Sequence, residues 1–195
     1  MNGEYEDGIG GGVSQVATTV FNAAWEAGLK ITARAAHALY ISRYPLGRDA
    51  TVNYPDLDLK FVNDTSKWIL VKGWSTDSGI TVSLYGTPTG RRVESSAGPL
   101  TVRGAPPVER IKDPELPKGR RVVEEEGEPP RSVVVTRKVY LPSGELLYDE
   151  TWPTYYRGEK RIVRIGTKVE EKEKEKEKDK GKETATTPDV PPPGR

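Results

Sequence analysis

The sequence predicts an α+β chain: one amphipathic helix on a mostly antiparallel sheet, then an elongated, thin all-β module, and finally a disordered charged tail. Three observations predict it. Apolar residues recur at helical spacing in a single early stretch, two-residue alternation takes over beyond it, and the last segment alternates Glu and Lys with nothing apolar to bury. The domains expected from these changes are 1–104, ending in a linker, then 105–169, and a tail over 170–195.

Between Ser14 and Leu29 the residues Val16, Val20, Phe21, Ala24 and Ala27 fall at three- and four-residue spacing, which places them on one helical stripe, and Gly28 is a plausible stop. Gly10–Gly12 precede this helix and Ser14 stands at the junction. A hydroxyl there suits a helix cap, accepting a hydrogen bond from a free N–H of the first turn. The same amides and the positive helix end would also stabilise an anionic nucleophile or an oxyanion. A serine needs a base as well, and the chain holds one histidine, His37. Both readings of Ser14 stay open at this level.

After the helix come short extended runs: Leu39–Ile41, Leu57/Leu59/Phe61 alternating with Asp58 and Lys60, then Trp68–Val71 and Ile80–Tyr85 flanking a turn-rich loop, hence a hairpin. Gly86 to Pro107 is dense in Gly and Pro and reads as a linker, with a boundary near Ala105. Val133–Leu141 and Glu145–Tyr148, joined by Pro142-Ser143-Gly144, read as a second hairpin. In its first strand Val133, Val135, Val139 and Leu141 share a face with Arg137, so neither face is cleanly apolar, and a sheet wetted on both sides is expected. In 170–195 opposite charges meet at i,i+3 and like charges at i,i+4, so their effects on a helix largely cancel.

Composition excludes several classes of function. Thirty Lys and Arg against 29 Asp and Glu leave a net charge of +1, which gives no field to recruit nucleic acid. Without cysteine, and with a single histidine, neither a disulfide framework nor a Cys- or His-built metal centre is expected, and no cofactor motif is present. Asp56 and Asp58 alternate with Leu57 and Leu59 as a solvent face would, so no metal site is assigned to them. No apolar run reaches the roughly 20 residues of a spanning helix, and the start at Met1 does not read as a signal peptide.

Two resemblances add to this reading. The triple glycine, Gln15, Thr19, Asn22, Gly28, His37, the Pro-Leu-Gly-Arg-Asp-Ala-Thr run at 45–51 and the Asp-Leu-Lys-Phe run at 58–61 follow in the order found in the VanW domain family of bacterial envelope proteins, which the stretch from Asp7 to Gly86 resembles. Many members carry a cysteine where this chain has Ser14, and these resemble L,D-transpeptidases in their implied chemistry. A nucleophile attacks a peptidoglycan stem peptide and passes the acyl group to an amine. By that resemblance Ser14 occupies the nucleophile position, His37 is the general base, and Arg48 and Asp49 position the base or the substrate. The family's domain starts several strands before the triple glycine, so the resemblance implies upstream parts, including an export or membrane signal, and an extracytoplasmic home.

Residues 106–169 resemble the G-five domain, with Gly119, Gly127, Gly144 and Gly166 in the expected places and a closing Ile-Gly-Thr-Lys. Such domains accompany surface enzymes and adhesins and bind N-acetylglucosamine-containing glycan. Trp152, Tyr155 and Tyr156 are the candidate sugar-binding aromatics, because an aromatic face can lie on the C–H side of a sugar ring. The function expected is a cell-envelope protein that binds peptidoglycan or its glycan, with a degenerate acyltransferase-like domain that holds peptide or glycan and a five-glycine module that tethers it to the wall. The alternative is a working peptidoglycan acyltransferase using Ser14 and His37.

Overall fold

In the computed structural model, residues 12–169 are described. In chain order the elements are α1 (Val13–Glu26), β1 (Lys30–Ala33), β2 (Lys60–Val62), β3 (Ile69–Thr76), β4 (Gly79–Gly86), β5 (Arg92–Ala97), β6 (Thr101–Val102), β7 (Val108–Pro117), β8 (Arg121–Glu125), β9 (Arg131–Tyr140), β10 (Leu146–Tyr156) and β11 (Arg161–Lys168). One helix beside eleven strands among the described residues makes the architecture mostly β, which corrects the α+β expectation. The helical signal was real, but it is short. The Gly- and Pro-rich stretch expected to be a linker contributes two further strands, β5 and β6, both paired with β9. Leu39–Ile41, expected to be extended, is irregular. The expected disorder of 170–195 lies outside the described residues.

The chain forms two compact units, and the units do not follow chain order. The first takes the described residues up to Pro106 together with Glu128–Glu159, and the second takes Pro107–Gly127 with the described residues from Lys160.

In the first unit, α1 buries Ala17, Thr18, Phe21, Ala24 and Trp25, while Val16 faces outward. The buried stripe is therefore rotated from the one that Val16 and Val20 suggested. The two large aromatics set its direction, since a helix is turned by whichever residues lose most apolar area to the core. Phe21, Trp25 and Trp152 of β10 meet edge-to-face with ring centroids 5.5 to 6.2 Å apart. The helix ends with the Gly28 N–H donating to the Trp25 carbonyl and the Leu29 N–H to the Ala24 carbonyl, which satisfies two of the four carbonyls a helix C-terminus leaves open.

A sheet of β10-β9-β5, with β6 also on β9, supplies the other side of this core. Val133, Val135, Arg137 and Val139 form a fully buried face of β9, which corrects the expectation of a strand wetted on both sides. The reason is Arg137. It is 0% exposed, and its guanidinium donates to the Trp25 and Leu29 carbonyls at 2.9 and 3.0 Å and to Glu150 at 2.9 Å, with the Trp25 ring 4.9 Å away. A charge whose two terminal nitrogens are both hydrogen-bonded can lie on an apolar face, and here only the buried Nε is left without a partner among the described residues. The loop at 45–51 closes over Val133 and Val135. Gly47 has φ +67°, and a Cβ built there would lie 2.6 Å from Val135 and 2.9 Å from Val133, so the close approach requires glycine.

The second unit is a three-stranded sheet, β7-β11-β8, with β11 in the middle, parallel to β7 and antiparallel to β8. Little of it is buried. Cross-strand charges decorate it: Arg164 makes a two-pronged pair with Glu124 at 2.7 and 2.8 Å, and Lys160 reaches Glu109 at 2.7 Å. Its tightest point is Gly166, where a Cβ would meet the Pro117 carbonyl oxygen at 2.0 Å. Gly166→Ala is expected to cost at least about 2 kcal/mol, because the obstacle is backbone and cannot swing away. Hydrogen exchange checks it: amides of β7 and β11 should lose protection while those of β9 keep theirs.

Candidate functional site

The loop after β1 and the run at 48–51 lie side by side, joined by a bridge between Ala35 and Thr51. Asp49 is 3% exposed and uses both oxygens. Oδ2 accepts from the His37 backbone N–H at 2.7 Å and lies 2.8 Å from His37 Nδ1, while Oδ1 accepts from Arg34 at 3.0 Å and from the Tyr156 hydroxyl at 2.7 Å. Burial pushes this carboxyl's pKa up. The bonds from the His37 ring and backbone, then Tyr156 and the Arg34 charge, outweigh burial and bring it to about 2. Asp49 is therefore ionised at neutral pH. The same carboxylate, together with burial, pushes the Tyr156 hydroxyl far above the usual phenol range, with burial the larger cause.

An ionised carboxylate can only accept, so His37 Nδ1 carries a proton and neutral His37 has its acceptor at Nε2. The ring is held on its other side by Tyr44, stacked at 5.3 Å. Arg34 fixes the carboxylate from below: besides Asp49 it donates to the Gly47 carbonyl at 3.0 Å and to Thr154 Oγ1 at 2.9 Å. An imidazole oriented by a buried acid is the arrangement a general base requires.

Ser14 is not the cap that one reading of the sequence made it. The helix N-cap is Gly12, with no side-chain cap, and Ser14 lies inside the first turn. Its hydroxyl lies 3.0 Å from Thr51 Oγ1. Among the described residues no hydrogen bond joins Ser14 to His37, although Thr51 and Asp49 bring both residues against the same short run. Arg48 turns the other way. It donates to Asn22 Oδ1 at 2.9 Å, pairs with Glu26 and lies 5.2 Å over the Trp25 ring, clasping α1 rather than His37. Thr18 and Ala50 complete that clasp, with the Thr18 hydroxyl donating to the Ala50 carbonyl and accepting from its N–H.

The three aromatics of β10 do not form one surface. Trp152 packs on Phe21 and Trp25, Tyr156 is buried against Asp49, and Tyr155, on the opposite face of the strand, is 61% exposed. Sequence reasoning missed Arg34, Thr51 and the tie from Tyr156 to Asp49. For Arg34 a signal exists: a lone charge among Ile31, Ala33, Ala35 and Ala36 marks a buried ion that needs a partner. Tyr156 lies 107 residues from Asp49, and nothing local announces that contact.

Residues 1–85 match the family model described as VanW like protein. Over that stretch the sequence is VanW-like. A relative from Bacillus subtilis (strain 168), the uncharacterized protein YoaR, is 38% identical over 85 residues, which are 44% of this chain and 28% of that protein. The chain thus spans less than a third of that relative's length. Among solved structures, the IgA1 protease G5 domain is 24% identical, with 40% of this chain and 89% of that one covered and a TM-score of 0.27. HP0197-G5 is 21% identical, covering 39% of this chain and 97% of that one, with a TM-score of 0.25. The VanW-like domain associates the chain with the bacterial cell envelope. No helix among the described residues is long and apolar enough to cross a membrane.

Proposed function

We propose that this is an envelope protein whose VanW-like domain holds peptidoglycan, by a stem peptide or by its N-acetylglucosamine glycan, in a site descended from acyl transfer that no longer turns over. The observation carrying this reading is the Ser14 hydroxyl, which pairs with Thr51 instead of His37. A base is oriented, and among the described residues no nucleophile is hydrogen-bonded to its ring. Retention of the full chain on purified peptidoglycan tests the binding; passage of all the protein into the unbound fraction discards it. Within this reading Ser14→Cys is expected to gain a covalent adduct with a stem-peptide mimic. A thiol's pKa near 8.5 is brought toward neutrality at a helix N-terminus, and a hydroxyl's is not. Mass spectrometry of the intact chain checks it.

A second reading, a working peptidoglycan acyltransferase using Ser14 and His37, draws support from the Asp49–His37 pair at 2.8 Å. Its signature is an adduct on the unaltered serine that disappears in His37→Ala. Observing that pair of results replaces the first reading with the second.

A further inference from the structure

The β3–β4 hairpin carries on its outer face a set of residues that the site above does not use. Ile69 and Leu84 turn inward and pack on the core of the first unit. By alternation Leu70, Lys72 and Trp74 turn outward, the register places Tyr85 opposite Leu70, Ser83 opposite Lys72 and Thr81 opposite Trp74, and Trp68 stands in water just before the strand. Trp68 is 94% exposed, and Leu70, Trp74 and Tyr85 are about half exposed, at 62%, 45% and 52%. A contiguous row of large side chains left in water marks a contact surface rather than scattered exposure. Beside Trp68 and Tyr85 the surface opens into a cleft of about 360 Å³, further lined by Glu26, Thr87, Thr89 and Arg91.

The chemistry of the row narrows what covers it. Its large members are mostly aromatic: Leu70 and Trp74 stand about 13 Å apart along β3, Trp68 immediately precedes the strand, and the hydroxyls of Ser83 and Thr81 lie between and beside them. Flat rings interleaved with short hydroxyls fit a ligand that alternates C–H faces with polar edges, as a saccharide chain does. Lys72 stands in the middle of the row, and among the described residues no carboxylate lies within ion-pair distance of it. An unpaired cation there complements a negative charge on the ligand. Resting on the peptidoglycan-binding reading above, we infer that the outer face of β3–β4 is a glycan-binding surface for a carboxylate-bearing saccharide chain, with Trp68, Tyr85 and Trp74 as platforms and Lys72 as the carboxylate contact. This surface is separate from the Asp49–His37 pair.

The test uses the full chain and soluble, uncross-linked peptidoglycan glycan strands, with neutral N-acetylglucosamine oligomers as the comparison. Four tryptophans are present, and Trp25 and Trp152 are packed in the core, so iodide reaches the emission of Trp68 and Trp74. Glycan strands are expected to protect that emission from iodide. Trp68→Ala and Trp74→Ala should each weaken binding at least tenfold, with near-UV circular dichroism unchanged. Lys72→Ala should weaken binding of the acidic strands and leave the neutral oligomers untouched. If the unaltered chain binds strands and all three variants bind equally well, this surface is not the site, and the peptidoglycan-binding reading survives without it. If the unaltered chain binds no peptidoglycan in any form, both fall together. Loss of self-association or of vesicle binding in Trp68→Ala, with glycan affinity unchanged, overturns the inference in favour of a second copy or a lipid surface.

Discussion

Asp49→Ala is expected to destabilise the first unit by about 3–5 kcal/mol, the usual cost of removing one partner of a buried ion pair. Arg34 would remain desolvated with only carbonyl and hydroxyl partners, and the His37 backbone N–H and the Tyr156 hydroxyl would lose their acceptor. Urea unfolding followed by tryptophan emission measures it. Asp49→Asn should cost less, because one amide oxygen still accepts, although its NH2 must then face a donor. The same carboxylate sets an acid limit. Its folded pKa of about 2 lies below the unfolded value, so its contribution is complete above about pH 4 and is lost as pH falls toward 2. The loss amounts to about 2–3 kcal/mol. The urea midpoint of the unaltered chain should fall across that window, and Asp49→Asn should remove this part of the fall. An unchanged acid profile in Asp49→Asn would show that the carboxylate is not held as described.

Arg137→Ala is the second large effect, again about 3–5 kcal/mol. The substitution opens a void beneath Trp25, leaves Glu150 without its partner, and removes a donor from the Leu29 carbonyl and one of two donors from the Trp25 carbonyl. Arg137→Lys should rescue only part of this. A single ammonium cannot span two carbonyls and a carboxylate as a planar guanidinium does. A double-mutant cycle with Glu150→Ala separates the ion pair from the carbonyl bonds. If Arg137→Ala costs no more than Glu150→Ala, the bonds to the Trp25 and Leu29 carbonyls contribute nothing to stability and the account of the buried guanidinium is wrong.

These two residues also mark how far the sequence could be read. The helix, the β3–β4 hairpin and the β9–β10 hairpin were legible, because each is written in local periodicity and turn residues. The partners of those elements were not. Arg137 made one face of β9 look polar, since a charge scores as solvent-facing unless its acceptors are known, and two of these lie more than 100 residues away. At the site, the resemblance named Arg48 and Asp49 together as residues that position the base or the substrate; Asp49 contacts His37 while Arg48 contacts α1, because adjacent residues on an irregular run point in different directions. The aromatics of β10 drew attention as sugar platforms, but alternation alone does not reveal which face a core will cover. Trp68 was read only as a strand residue and Trp74 was not singled out, because the pattern of a hairpin does not tell which of its faces stays in water.

The strand that completes the helix's core is separated from it by the whole of β7 and β8. A chain leaving the ribosome would therefore expose Phe21 and Trp25 for the time needed to synthesise more than a hundred residues, until Val133 and Arg137 emerge. Loop closure over that separation slows the final docking. Newly made chains are thus most open to chaperones and proteases before β9 is complete, and a protein cut anywhere between 107 and 127 would carry its helix without the strand it was built to meet.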